Sequence, residues 1–178
     1  MDLYQPHLST QKVIEQGCPM IKNNVIRLLE SRSIQFKSLE LPMEKLSALQ
    51  TASFLNVPVE NVFKSIVIQR EKKPKPILAI VPGSMEVDLK KLANLLGEKK
   101  LHIPSEREVE RLTGLQVGGI SPLALTNMGF DMVLDLSALL HEKIHISGGQ
   151  RGLNLLILVQ DLISLINPQV SDIAHRAT

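Results

Sequence analysis

Val62-Phe63-Lys64-Ser65-Ile66-Val67-Ile68 is an apolar, β-branched run with the composition of a buried strand. A second apolar run follows it at residues 77–81. Only the polar turn Lys72-Lys73-Pro74-Lys75-Pro76 separates the two runs. Because two strands joined by so short a turn usually pair, the sequence predicts a β-hairpin here.

Short helices and short strands alternate on both sides of this hairpin. Helices are predicted at 20–33, at 44–55, at 89–96 with Asp88 as its cap, and from a capping box of Ser105 and Glu108 to Gly114. Further strands are predicted at 35–41, 100–103, 132–136, 144–147 and, as the last one, 153–159, before a closing helix from about Asp161. Because these elements show no regular parallel crossover pattern, the sequence predicts an α+β fold.

The composition excludes several classes of protein. The chain has 178 residues, of which 44% are hydrophobic, and a net charge of +2, so we expect one folded domain rather than disorder. Its one cysteine, Cys18, excludes an internal disulfide framework and a cysteine-rich zinc site. Without a long apolar run or a signal-peptide pattern, we expect a cytoplasmic protein with no membrane segment. Polar residues 1–19 are predicted to form a loose N-terminal arm before a domain of residues 20–178.

Any contact with nucleic acid has to be local. The 20 basic residues are balanced by 18 acidic residues, and one tyrosine and four phenylalanines are too few for a base-stacking platform. Nucleic-acid binding would therefore depend on phosphate contacts or on a local pocket.

His141-Glu142-Lys143-Ile144-His145 matches the string that zinc hydrolases carry on a helix. On a helix the two histidines would lie about 6 Å apart and could share one zinc ion. On a strand they would lie about 13 Å apart and could not. The alternation of Ile144 and Ile146 favours a strand, so a zinc-dependent hydrolase is the less favoured alternative.

Three further features have both a structural and a functional interpretation. Lys64, inside an apolar strand, is either a charge that protects a sheet edge or a pocket cation for phosphate or carbonyl oxygen. Gly118-Gly119-Ile120-Ser121-Pro122 is either a bend or a backbone that brings free amides close to a substrate, as in an oxyanion hole. Gly148-Gly149-Gln150-Arg151-Gly152 is either a hairpin turn or a loop whose amides and Arg151 face an anion. The residues alone leave these alternatives open.

Several of these segments occur in an order that resembles a known family. The ordered set is Phe63-Lys64-Ser65, Asp88-Leu89-Lys90-Lys91-Leu92-Ala93, Leu96-Gly97-Glu98-Lys99-Lys100, Thr113-Gly114, Val117-Gly118-Gly119-Ile120-Ser121-Pro122-Leu123, Ser147-Gly148-Gly149-Gln150-Arg151-Gly152 and the closing Asp172-Ile173-Ala174-His175-Arg176. This set resembles the YbaK/prolyl-tRNA-synthetase-associated family of aminoacyl-tRNA deacylases. The resemblance extends from about residue 20 to the end of the chain.

The resemblance implies a mixed, β-barrel-like sheet with short flanking helices. It also implies trans-editing hydrolysis of misacylated tRNA, above all Cys-tRNA(Pro) or a related small amino acid ester, without a cofactor or metal ion. The implied partners are the acceptor end of aminoacyl-tRNA and, as a candidate, prolyl-tRNA synthetase. The implied attacker is water or a group on the substrate, since no side-chain nucleophile can be named. The implied catalytic positions are Lys64, Gly118 and Gly119, and the implied substrate-binding positions are Phe63, Ser65, Ser121, Pro122, Asp135, Ser147, Gly148, Arg151 and Gly152.

Two segments depart from the family pattern. Leu39-Glu40-Leu41-Pro42-Met43 stands where family members often carry an aromatic residue and a His or Asp-Pro pair. Ser53-Phe54-Leu55-Asn56 stands where a small residue and a glycine are commoner. Because this region helps close the amino-acid pocket, the sequence leaves the identity of the removed amino acid open. The alternative is a catalytically inactive module that binds tRNA or a synthetase, and the sequence predicts no oligomeric state.

Overall fold

The computed structural model describes residues 13–14, 22–72 and 74–176. Its helices are α1 (Asn24–Ser31), α2 (Ala48–Leu55), α3 (Leu89–Leu96), α4 (Glu106–Thr113) and α5 (Val159–Ile166), with 3-10 turns at Val59–Asn61 and Leu136–Leu140. Its strands are β1 (Val13–Ile14), β2 (Phe36–Glu40), β3 (Phe63–Arg70), β4 (Ile77–Pro82), β5 (Met85–Val87), β6 (Leu101–His102), β7 (Asp131–Asp135), β8 (Lys143–Ser147), β9 (Leu153–Leu158), β10 (Gln169–Ser171) and β11 (Ala174–Arg176). The predicted α+β class is confirmed.

The strands form two larger sheets and one small one. Their orders are β1-β2-β9-β8, β10-β7-β4-β3-β6 and β11-β5. The predicted hairpin is confirmed, since β3 and β4 pair antiparallel from Phe63 opposite Pro82 to Ile68 opposite Ile77. The five-stranded sheet is mixed, because β7 runs parallel to both β4 and β10.

The two larger sheets share one core. Phe63 and Leu78 from the five-stranded sheet lie in the same buried cluster as Ile144 and Leu155 from the four-stranded sheet. A single bridge, between Val62 and His145, joins the two sheets along the backbone. The described strands therefore enclose the core from two sides, as in a barrel, but they do not close into one continuous ring.

The five-stranded sheet is buried on its second face as well. A second apolar cluster packs there, with Leu92 of α3 and Ile173 of the C-terminal segment against Ala79 and Val81. Every residue of β4 is buried as a result. This explains why residues 77–81 form a continuous apolar run rather than an alternating one.

Helix starts follow the capping residues. Asp88 caps α3, and Ser105 with Glu108 forms the predicted capping box of α4. The second helix begins later than predicted, at Ala48 instead of 44, because Ser47 and Gln50 form a capping box that fixes its first turn. The segment before Ser47 is therefore not helical.

The end of the chain differs from the prediction. The run at 153–159 is not the last strand, because β10 and β11 follow α5. These strands have three residues each, too short for an alternating pattern to be visible in the sequence. Within the predicted arm the structure describes only β1, which pairs antiparallel with β2. The rest of the arm lies outside the described residues, and its boundary at residue 19 stays a prediction.

Candidate active site

A cavity of about 350 Å³ lies beside the start of β3. Its walls come from the segment after β2, the first turn of α2, the start of β3, the loop after α4 and the loop between β8 and β9. We call it the β3 cavity. Six of the predicted site residues line it, namely Phe63, Lys64, Ser65, Gly118, Ser147 and Gly152. The fold thus brings together residues that lie up to 89 positions apart in the sequence (Gly152 minus Phe63).

Lys64 supplies a positive charge to the cavity. It lies on β3 opposite Val81 of β4, its side chain is half-buried, and it lines the cavity. Burial lowers the pKa of Lys64, while the negative charge of Glu86 acts in the opposite direction. An ammonium with part of its hydration removed interacts more strongly with an oxygen anion. This placement favours the pocket-cation interpretation over the edge-protecting charge.

The two glycine-rich segments, residues 118–122 and 148–152, pack against each other, and we call them the two glycine loops. A Cβ on Gly119 would lie 2.8 Å from the backbone of Gln150, a distance that real Cβ atoms do not reach. The Arg151 side chain braces the same contact, because its Nε donates to the carbonyl oxygen of Val117 at 2.8 Å. Glycine at 119 is therefore required by the close approach of the loops, and Arg151 acts at their junction rather than in the cavity wall.

Only one of the two predicted oxyanion amides is available. The Gly119 amide donates to the carbonyl oxygen of Gln116 at 2.8 Å and is occupied. Among the described residues, no acceptor binds the amide of Gly118, which lines the cavity at φ +97°. An oxyanion hole here would therefore use the amide of Gly118 and not that of Gly119.

The loop between β8 and β9 shapes the opposite wall. Ser147 lies across from Asn154, and its Oγ accepts from the Gly149 amide at 3.3 Å. Gly152, at φ +81°, leaves room for the Met43 side chain, and its carbonyl oxygen accepts from the Leu41 amide at 2.9 Å. Gly148 does not line the cavity, and a Cβ there would meet the Leu153 side chain.

Three other predicted residues lie outside the cavity wall. Asp135 is buried, with Oδ1 accepting from the Ser137 amide and Oδ2 from the Ile173 amide, both at 3.0 Å. The carboxylate thus holds the turn after β7 and the C-terminal segment, so we no longer retain Asp135 as a substrate-binding residue. Pro122 begins a turn, and Ser121 is fully buried with no partner for its Oγ among the described residues.

The zinc hydrolase geometry is not formed. Lys143–Ser147 is strand β8, which separates the two histidines along an extended backbone. His145 is buried with its Nδ1 2.9 Å from Oδ1 of Asn154, whereas His141 stacks edge-on against Phe63. Within the described parts of the chain, no three His, Cys, Asp or Glu residues cluster as metal ligands would. The string is a chance match, as the alternation of Ile144 and Ile146 predicts.

Two residues of the cavity wall, Asn154 and Glu44, were not predicted from the sequence. Asn154 is a buried polar residue in the otherwise apolar strand β9, and it lines the cavity. Such an isolated polar residue is the same signal that singled out Lys64, so it could have been found. Glu44 is the one carboxylate among the lining residues, and it lies in an irregular segment whose position no sequence pattern fixes.

Three comparisons relate this chain to known proteins. The model of the family described as "Aminoacyl-tRNA editing domain" matches residues 44–165. The "Putative Cys-tRNA(Pro)/Cys-tRNA(Cys) deacylase EbsC" of Enterococcus faecalis is 32% identical over 157 residues, which cover 87% of this chain and 94% of that protein. A proline–tRNA ligase of Geobacter metallireducens is 32% identical over 91 residues, which cover 51% of this chain and 15% of the ligase.

A solved structure has the same fold. It is the "Crystal structure of a putative trans-editing enzyme for prolyl tRNA synthetase", with a TM-score of 0.72 and 27% identity over 87% of this chain and 99% of that chain. In the parts of the chain that the structure describes, no helix is both long and apolar enough to cross a membrane. The family model spans more than half of the chain and contains the whole wall of the β3 cavity except Leu41 and Pro42. This chain belongs to the aminoacyl-tRNA editing domain family.

Proposed function

We propose that this chain is a trans-editing deacylase, which hydrolyses the ester between a wrongly attached amino acid and its tRNA. The observation that carries the proposal is the β3 cavity, which both a half-buried lysine and a backbone amide with no acceptor among the described residues line. The name of the Enterococcus faecalis relative supports Cys-tRNA(Pro) as the first substrate to test. We also propose that the protein works in the cytoplasm, because tRNA is charged there.

Hydrolysis cleaves the ester bond and adds the elements of one water molecule to the two products. The water oxygen bonds to the carbonyl carbon, and the carbonyl oxygen takes up an electron pair. When that pair returns, the bond to the ribose oxygen breaks, and the ribose oxygen receives the proton that water loses. If a group on the substrate attacks first, such as a cysteinyl thiol, its sulfur replaces the ribose oxygen at the carbonyl carbon and loses the proton instead.

The protein contributes charge stabilisation and positioning. The Gly118 amide can donate to the oxygen that becomes negative. The Lys64 ammonium can pair with a phosphate or carbonyl oxygen at the end of the tRNA. Holding the ester between these two groups lowers the barrier without a covalent enzyme intermediate.

No side-chain nucleophile is assigned. Three serines line the cavity, Ser47, Ser65 and Ser147, and the Oγ atoms of Ser47 and Ser147 accept hydrogen bonds from the backbone amides of Gln50 and Gly149. Among the described residues, no serine in the cavity wall is hydrogen-bonded to a histidine, as a serine hydrolase requires. Water or a substrate group therefore remains the attacker.

The segment 41–48 sets the amino acid that fits. It supplies Leu41, Pro42 and Leu46 to the cavity wall that Lys64 also lines. Its first residues, 41–43, belong to one of the two stretches that depart from the family pattern. We therefore propose that it determines which amino acid is removed, and that recognition of the tRNA is shared with a synthetase such as prolyl-tRNA synthetase.

A panel of mischarged tRNAs tests the proposal. The release of labelled amino acid would be measured for the native chain, for Lys64→Ala, and for Lys90→Ala as a matched control. Lys90 is exposed on α3 and lies outside the cavity wall. We expect one species to be cleaved, cleavage to fall at least about 100-fold in Lys64→Ala, and Lys90→Ala to match the native chain.

Two other results would decide against the deacylase. If the native chain cleaves no species but binds tRNA, the inactive binding module is the better account. If Lys64→Ala cleaves as fast as the native chain, the cavity is not the site of the reaction.

A further inference from the structure

A buried polar pair lies behind the wall of the β3 cavity. His145 and Asn154 are only 6% and 4% exposed, and Nδ1 of His145 lies 2.9 Å from Oδ1 of Asn154. Asn154 lines the cavity, whereas His145 does not. A substrate in the cavity can therefore contact Asn154, whereas His145 is hydrogen-bonded to Asn154 and lies outside the cavity wall.

The hydrogen bond fixes the tautomer of His145. Burial lowers the pKa of His145, and the hydrogen bond with Asn154 acts in the opposite direction. A neutral imidazole carries one proton, and an imidazole nitrogen beside a carbonyl oxygen must be the donor. His145 thus donates its Nδ1 proton to Oδ1 of Asn154.

The same bond fixes the orientation of the Asn154 amide. With Oδ1 held by His145, Nδ2 points in another direction. Among the described residues no acceptor binds Nδ2, and the buried side-chain atoms without a partner include only Ser121 Oγ. Since Nδ2 is not among those buried atoms, it keeps some exposed surface, and Asn154 lines the β3 cavity.

We propose that the Asn154 amide is a second oxyanion donor, which binds the carbonyl oxygen of the aminoacyl ester, and that His145 is the positioning residue that aims it. This inference rests on the proposed function and adds a side-chain donor to the Gly118 amide. Two donors on one oxygen are the usual composition of an oxyanion hole, and the Gly119 amide is not free to be the second.

A histidine–asparagine pair with a purely structural role would have a different pattern of hydrogen bonds. Two polar groups that are buried only to satisfy each other would leave no donor turned toward a cavity. Here the side-chain oxygen of Asn154 faces the histidine, Nδ2 has no acceptor among the described residues, and Asn154 lines the pocket. This arrangement leaves Nδ2 for a ligand oxygen.

The first test needs no enzymatic activity. Nitrogen-15 NMR of the full chain would identify the protonated nitrogen of His145, and titration with 3′-(L-cysteinylamino)-3′-deoxyadenosine would follow the side-chain amide of Asn154. We expect the Nδ1–H tautomer and a shift of the Asn154 amide on titration. An Nε2–H tautomer would overturn the proposal, because Nδ1 would then accept from Nδ2. An Asn154 amide that does not shift would overturn it too.

The second test uses the aminoacyl-tRNA that the native chain cleaves. Asn154→Ala and Asn154→Asp should each lower kcat about 100-fold with little change in KM, since neither side chain offers a donor. His145→Phe should lower kcat about tenfold, and His145→Asn should restore most of it, because its amide nitrogen takes the place of Nδ1. His102→Gln, at an exposed histidine on β6, is the matched control.

Combining the variants separates positioning from a general loss of structure. If His145 acts only through Asn154, then His145→Phe should have no further effect in an Asn154→Ala background. Additive losses, or an Asn154→Asp variant as active as the native chain, would overturn the proposal. A native chain that cleaves nothing would contradict the proposed function, and the NMR titration would then still decide whether Asn154 binds the analogue.

Discussion

At Lys64 a charged side chain occupies a strand position between apolar neighbours. Half of this side chain is buried, which lowers the pKa of the ammonium. In the unfolded chain the same ammonium is fully hydrated, so the free-energy cost of its partial desolvation falls on the folded state. Such a residue reduces stability and is retained where function needs a charge.

Replacement of Lys64 by methionine should therefore stabilise the protein while it removes activity. Below the lowered pKa the ammonium is charged in both states, and Lys64→Met removes its burial penalty from the folded state. We expect the free energy of unfolding, measured with urea, to rise by up to about 1 kcal/mol. A variant less stable than the native chain would contradict this account.

The difference in the free energy of unfolding between Lys64→Met and the native chain should depend on pH. Because the folded pKa is lowered, the folded state loses its proton at a lower pH than the unfolded state. The native chain should gain stability as the pH rises through that lowered pKa. The advantage of Lys64→Met should thus shrink at alkaline pH in the same urea titrations.

Among the elements, the two glycine loops depend on each other. The loop after α4 contributes Gly118 to the cavity only while Gly119 packs against Gln150. Gly119→Ala places a Cβ where the backbone already lies, so one loop must move away. We expect kcat/KM to fall at least about tenfold and stability to fall by about 1–3 kcal/mol.

Gly114→Ala is the control for this substitution. Gly114 ends α4 at φ +69° with nothing near its Cβ position, so alanine there costs backbone strain but displaces no loop. It should lose about 1 kcal/mol of stability and keep its kcat/KM. If both variants lose the same activity, the contact between the loops is not what positions Gly118.

The elements also explain what could be predicted from the sequence. Cap residues such as Asp88 and Ser105 act within one turn, so they place their helices correctly. Lys64 and the glycine loops are unusual enough in type to be singled out before the structure is known. Whether Gly119 has a free amide, or Asn154 a neighbouring histidine, depends on contacts between distant segments that no local pattern contains.

In the molecule as a whole, Asp135 joins the centre of the fold to its C-terminal end. It ends β7, and its carboxylate accepts from the amides of Ser137 and Ile173. The resemblance implied that Asp135 binds the substrate. A sequence motif shows which residue is present, but it does not show the direction of its side chain. The C-terminal segment that it holds covers the second face of the five-stranded sheet, where Ile173 is buried.

Asp135→Asn separates the structural role from the substrate-binding one. The amide nitrogen would face a backbone N–H in place of one carboxylate oxygen, which leaves a buried donor unsatisfied. We expect the free energy of unfolding to fall by about 1–3 kcal/mol, with increased hydrogen exchange at the Ile173 amide. Because Asp135 does not line the β3 cavity, kcat and KM per folded molecule should be unchanged. A variant as stable as the native chain but with a raised KM would return Asp135 to the substrate site.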